Sequence, residues 1–189
     1  MKKYELTDET IDVSGTTLHR IKALKDFGNV KKGELGGYVE SERNLSQEGN
    51  CWVCGNAKVC GDAEVCGNAK VCGNAKVCGD AKVCGNAWVF GNAEVYGNAK
   101  VYGNAWVFGN AEVCGNAKVY GNAWVYGNAE VCGNARVYGD ADYITIKGLG
   151  SKYRNTTIFR TKENIAVKCG CFYGTLAEFV DKVKETHGN

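Results

Sequence analysis

The chain has no proline, which suits a sequence that is nearly all strand ladder, because proline cannot donate to one. Histidine is almost missing too, with only His19 and His187, so few groups are available for proton transfer near neutral pH. No apolar run approaches the length of a membrane span. A formal net charge of +2 argues against a wholly basic nucleic-acid binder or an acidic mimic of one. No signal peptide precedes the first expected strand, and cysteine is abundant at eleven copies. That combination predicts a reducing compartment, the cytoplasm, with no membrane partner. At 189 residues, one elongated unit with small appendages is expected rather than several globular domains.

What the sequence does have is a hexapeptide. From Val53 to Asp142 it reads Val, then Cys, Tyr or Phe, then Gly, Asn or Asp, Ala, and one variable residue. Val recurs every six residues to Val137, Gly from Gly55 to Gly139, and Ala from Ala57 to Ala141. A fixed period of this kind marks a solenoid. Within each copy the alternation Ala, x, Val, x predicts a short strand with Ala and Val on one side and the two variable positions on the other. Gly-Asn suits the corner, since Gly tolerates any backbone region and Asn is the side chain most at ease with positive φ.

A second period gives the shape. The residue before Val is Trp at 52, 88, 106 and 124, with Lys70 in the one gap, so the spacing is 18 or a multiple of it. Glu94, Glu112 and Glu130 form another series, and Lys82, Lys100, Lys118 and Arg136 a third. Three strands per coil make a triangular prism of five coils, about 24 Å long at the usual strand spacing. The Val/Ala pairing resembles the hexapeptide-repeat family of left-handed parallel β-helices, and the left hand is implied by that resemblance. The wording of residues 26–40 and 44–53 resembles the head of a group of uncharacterised bacterial and phage hexapeptide-repeat proteins.

The chain divides into an N-terminal capping segment (1–52), the β-helix (53–142) and a C-terminal segment (143–189). The first is read as strands over Lys3–Leu6 and Thr16–Leu24, then an irregular Gly-rich stretch leading into the first coil. Such a cap would blunt an open coil that otherwise invites end-to-end stacking. The last segment is read as β-β-β-α, with strands Tyr143–Lys147, Thr156–Thr161 and Ile165–Cys169. A helix over Thr175–Thr186 follows, with Leu176, Phe179, Val180 and Val183 on one face and Thr175 as its N-cap. This short tail is expected to dock on the last coil.

The family resemblance implies acyl transfer as one function, with a donor groove between subunits and a His as general base. His19 is the only candidate base, and no loop interrupts the repeats to build a pocket. The reading therefore sets catalysis aside and assigns no catalytic residue, no metal and no cofactor. The cysteines at 54/72, 60/78, 66/84 and 114/132 stack 18 apart, within disulfide reach at about 4.8 Å. Parallel side chains pointing the same way are expected to suit a bridge poorly, so these sites are read mainly as packing positions shared with Tyr and Phe. The tail is basic, with Lys147, Lys152, Arg154, Arg160, Lys162 and Lys168 among Tyr153, Phe159 and Tyr173, but a solvated strand face is the commoner meaning and nucleic-acid binding is not expected.

One face departs from a bland solenoid. Trp88 is followed across Val by Phe90, Trp106 by Phe108, and Trp124 by Tyr126. Six outward rings over consecutive coils would expose several hundred Å² of apolar area, which asks for a cover. The cover is expected to be another copy of the chain, a segment in cis, or a foreign ligand or host protein. The predicted function is a non-catalytic scaffold that self-associates or binds a partner through these six residues. The alternatives are an acyltransferase-like enzyme with an inter-subunit site, and, from the phage resemblance, an inhibitor of a host protein.

Overall fold

The computed structural model describes residues 2–149 and 154–188. The chain is a left-handed parallel β-helix with a β cap at its N-terminal end and a small sheet and helix at the other. Fifteen two-residue strands, β4 (Trp52–Val53) through β18 (Arg136–Val137), carry the repeats, one to each hexapeptide. They stack in register with their equivalents 18 residues away, as in Trp88↔Trp106 and Val89↔Val107. Each face is thus a parallel sheet, and the three 18-residue series of the sequence are its three faces.

Every Val from Val53 to Val137 and every Ala from Ala57 to Ala135 points inward and is buried, forming one continuous column, whereas Ala141, the last of the series, is exposed where the chain leaves the prism. A buried Val contributes roughly 1.5–3 kcal/mol, and the ladder satisfies the backbone with bonds such as Trp88 N–H to Ala105 O at 2.9 Å. At the corners the glycines, not the asparagines, take positive φ: Gly85 sits at +71°. Asn has another role than the one expected of it. Its side-chain amides form ladders along the prism edges, Asn68 donating to Asn86 and Asn86 to Asn104 at 3.0 Å each.

The N-terminal segment is more ordered than its composition suggested. Strands β1 (Tyr4–Val13) and β2 (Thr16–Ala23) form an antiparallel hairpin, and β3 (Leu35–Val39) pairs antiparallel with β2 and parallel with β5 (Lys58–Val59). Val39 lies opposite Val59 and Leu45 opposite Val65. Residues expected to be irregular therefore make a further coil, hidden from a period-18 search because these partners are 20 apart. Asn44 closes its corner, donating to Gly61 O and Ala63 O at 2.9 Å.

At the other end the period breaks where Gly139 adopts an extended φ of −151° and the chain leaves the prism. Strands β19 (Tyr143–Leu149), β20 (Arg154–Arg160), β21 (Ile165–Cys169) and β22 (Phe172–Thr175) form an antiparallel sheet in that order. The fourth strand was not expected; Gly170, at φ +57°, turns the chain back so that Phe172 lies opposite Cys169. This sheet closes the open coil. Phe159 and Ala166 join the Val/Ala column, Glu130 N–H donates to Thr157 Oγ1 at 3.1 Å, and Lys168 pairs with Glu130 at 3.6 Å. Helix α1 (Leu176–His187) begins at the expected cap: Glu178 N–H donates to Thr175 Oγ1 and Thr175 N–H to a Glu178 carboxylate oxygen. It packs on β21 and β22, leaving Leu176, Val180 and Val183 exposed. No described helix is long and apolar enough to cross a membrane.

Candidate functional site

Because the strands stack in register, the six predicted residues come together as two columns on one sheet. Trp88, Trp106 and Trp124 stack with centroids 5.4 and 5.3 Å apart and planes within 12°. Phe90, Phe108 and Tyr126 stack at 5.0 and 5.4 Å. Edge-to-face contacts tie the columns together, Phe90 meeting Trp106 at 5.9 Å and Phe108 meeting Trp124 at 6.3 Å. The rings hold one another in fixed rotamers, which makes a rigid apolar surface at small entropic cost.

The caps leave this surface open. Trp88, Trp124 and Tyr126 are 37%, 45% and 53% exposed, and the other three half-buried. The N-terminal segment takes only the first ring of the series: Trp52 is buried against Tyr4 and Phe27. Lys70 fills the gap, its Nζ 5.1 Å above the Trp88 ring, a cation–π contact that ends the apolar strip with a charge. At the far end a cleft of about 290 Å³ opens between Tyr126 and Asn128 and the β19 residues Tyr143, Thr145 and Lys147.

The other two faces are charged. On one, Tyr96 Oη donates to Glu112 at 3.0 Å, and burial, helped by that carboxylate, pushes its phenol up to about 12. On both, a Lys answers a Glu one coil away, Lys76 to Glu94 and Lys82 to Glu64, at 3.0 Å. In the basic tail, Phe159 is buried and Arg160 and Lys168 pair with Asp142 and Glu130. Those charges are spent on docking the sheet. Lys152 and Tyr153 lie outside the described residues.

His19 is remote from the aromatic face, on β2 opposite Val39. Its Nδ1 is 3.2 Å from the Thr7 carbonyl oxygen. A carbonyl can only accept, so Nδ1 carries the proton and a neutral ring keeps its lone pair on Nε2. His187 is exposed in the last turn of α1.

The cysteine columns depart from expectation. Cys54–Cys72 and Cys114–Cys132 are disulfides, with Cα atoms 4.6 Å apart in each. The parallel ladder spacing falls at the short end of the bridging range, and rotation of the two side chains about their Cα–Cβ bonds brings the sulfurs together without backbone movement. The reading of these positions as unsuited to bridges is therefore corrected.

No family model matches the chain. One curated relative is an Escherichia coli (strain K12) protein named as the uncharacterized acetyltransferase YdcK, 39% identical over 61 residues. The match covers 28% of this chain and 19% of that protein, so the chain spans well under two thirds of its relative. The expectation that the protein is not an enzyme is corrected by this likeness, which points to enzymatic activity. The unbroken hexapeptide period, the in-register coils of 18 residues and this relative are consistent with a hexapeptide-repeat β-helix family.

Proposed function

We propose that the chain is an acyl-transfer enzyme of the hexapeptide-repeat type that works as an assembly of copies joined through the aromatic face. The likeness to a protein named as an acetyltransferase carries the reading. The geometry adds two supports. The open strip of six rings, bounded by Lys70 at one end and the Tyr126 cleft at the other, is of the kind that another copy covers. A single prism has flat faces, so a donor groove needs a second wall, and packing two prisms side by side supplies one. His19, which lies on β2 away from the aromatic face of its own copy, can serve as base through Nε2 only where the groove of the assembly runs past β2.

Acetyl-coenzyme A is the probe for this reading. Calorimetric binding and transfer of a labelled acetyl group to a panel of amine and hydroxyl acceptors are expected for the wild-type protein. His19→Ala is expected to keep binding and to lose transfer by about two orders of magnitude or more. Neither binding nor transfer by the wild-type assembly would overturn the proposal, and full activity in His19→Ala would remove His19 from it.

A further inference from the structure

The two closed disulfides belong to a larger set of cysteine pairs built to one geometry. Cys54–Cys72 closes across a ladder step in which Val53 faces Val71 and Cys54 N–H donates to Val71 O at 2.8 Å. Cys114–Cys132 repeats it, with Val113 facing Val131 and Cys114 N–H donating to Val131 O at 3.0 Å. Two more pairs occupy the same positions and stand open. Val59 faces Val77 and Cys60 N–H donates to Val77 O; Val65 faces Val83 and Cys66 N–H donates to Val83 O, both at 3.0 Å. All four cysteines are free and half-buried, within reach of a small reagent.

We infer that Cys60/Cys78 and Cys66/Cys84 are dithiol sites that close to cross-coil disulfides by exchange with a small-molecule disulfide such as oxidised glutathione. With Cys54–Cys72 they would tie the same two neighbouring coils together on all three faces of the prism. The closed pairs supply the template, because the four sites share spacing, register and side-chain direction. A hydrogen bond from the Cys60 thiol favours the Cys78 thiolate and lowers Cys78 to about 7, against the opposing effect of burial. Burial and Cys66 push the Cys84 thiol up.

Exchange then runs in two steps. The Cys78 thiolate attacks one sulfur of oxidised glutathione, breaking its S–S bond and releasing one glutathione thiolate. The Cys60 sulfur, deprotonated, attacks Cys78 Sγ in the mixed disulfide and expels the second glutathione. Two protein thiols are oxidised, one small disulfide is reduced, and the two thiol protons leave on the two glutathione molecules.

The test equilibrates the protein in glutathione buffers stepped from reducing to oxidising, traps free thiols by alkylation, and maps the peptides by mass. Cleavage after Lys, and after Glu64, puts Cys60, Cys66, Cys78 and Cys84 on separate peptides. The expected result is a Cys60–Cys78 and a Cys66–Cys84 peptide pair. Of the seven free thiols, four disappear and Cys51, Cys169 and Cys171 remain. At pH 7 the first pair should close about tenfold faster than the second, and Cys60→Ser should abolish the first and leave the second intact. Three results would overturn the inference: all four thiols staying open where Cys54–Cys72 is closed, a lasting glutathione adduct on Cys78, or pairing between different faces.

Discussion

Trp106 lies between Trp88 and Trp124, its ring parallel to both and 5.3–5.4 Å from each, on a face that neither cap covers. Such a surface in a single copy is costly in water, and the proposed remedy is another copy. Light scattering is expected to give a dimer or larger for the wild type. It should give a folded monomer for Trp106→Glu with Phe108→Lys, since two charges of opposite sign at the centre of the strip cannot be desolvated cheaply. A wild-type monomer would remove self-association from the proposal.

The corner glycines allow backbone strain and steric clash to be separated. Gly85 and Gly127 share a φ of +71°, yet a Cβ on Gly85 would meet Gly103 N and O at 3.0 Å while one on Gly127 meets nothing within 4 Å. Gly127→Ala is expected to cost about 1 kcal/mol from the left-handed backbone alone, and Gly85→Ala about 2–4 kcal/mol. Denaturation midpoints of the two variants check this; equal losses would show that the neighbouring coil yields.

Lys3 holds the N-terminal cap in place. Its buried Nζ donates to Cys51 O at 3.0 Å and Glu48 O at 3.3 Å and touches Cys51 Sγ at 3.2 Å. Lys3→Met takes the Nζ donor from the buried Cys51 carbonyl and is expected to cost about 2–4 kcal/mol. Burial holds the Lys3 ammonium below its ordinary value of 10.5, so the unfolded chain binds that proton more tightly. The difference in stability between wild type and Lys3→Met should therefore grow in favour of the wild type as pH rises towards 10.5. Urea titrations at pH 7 and 9.5 measure it.

Phe159 closes the other end. It is 1% exposed, on the sheet that lies over the last coil. Phe159→Ala should cost about 3–5 kcal/mol and loosen the C-terminal sheet before the prism. Limited proteolysis would then cut within 143–188 while the repeats stay whole. Cleavage first in the repeats would contradict that order.

Much of the architecture was legible because a solenoid is built from local rules repeated. The period-two alternation sent Val and Ala inward, and the 18-residue series sorted Trp, Glu and Lys onto separate faces without any long-range information. The extra coil at Val39 and Leu45 was not legible, since two more residues in the chain put its partners 20 apart instead of 18. A search that allowed one insertion between Gly37-Tyr38-Val39 and Ala57-Lys58-Val59 would have found it. The six rings were readable as two columns over three consecutive coils, whereas the openness of that face at the caps was not.

A covalent repeat dictates which side of a strand each residue occupies, because alternation follows from backbone geometry wherever the strand lies. It says nothing about what meets the ends of the column or about how far a side chain turns. Those outcomes came from packing in three dimensions: Trp52 is lost to the cap while Trp88 is not, and Phe159 completes the core. Likewise Cys54–Cys72 is bridged while Cys60 and Cys78, with the same spacing, are free thiols. Each depends on contacts between segments far apart in the chain, and no local pattern encodes them.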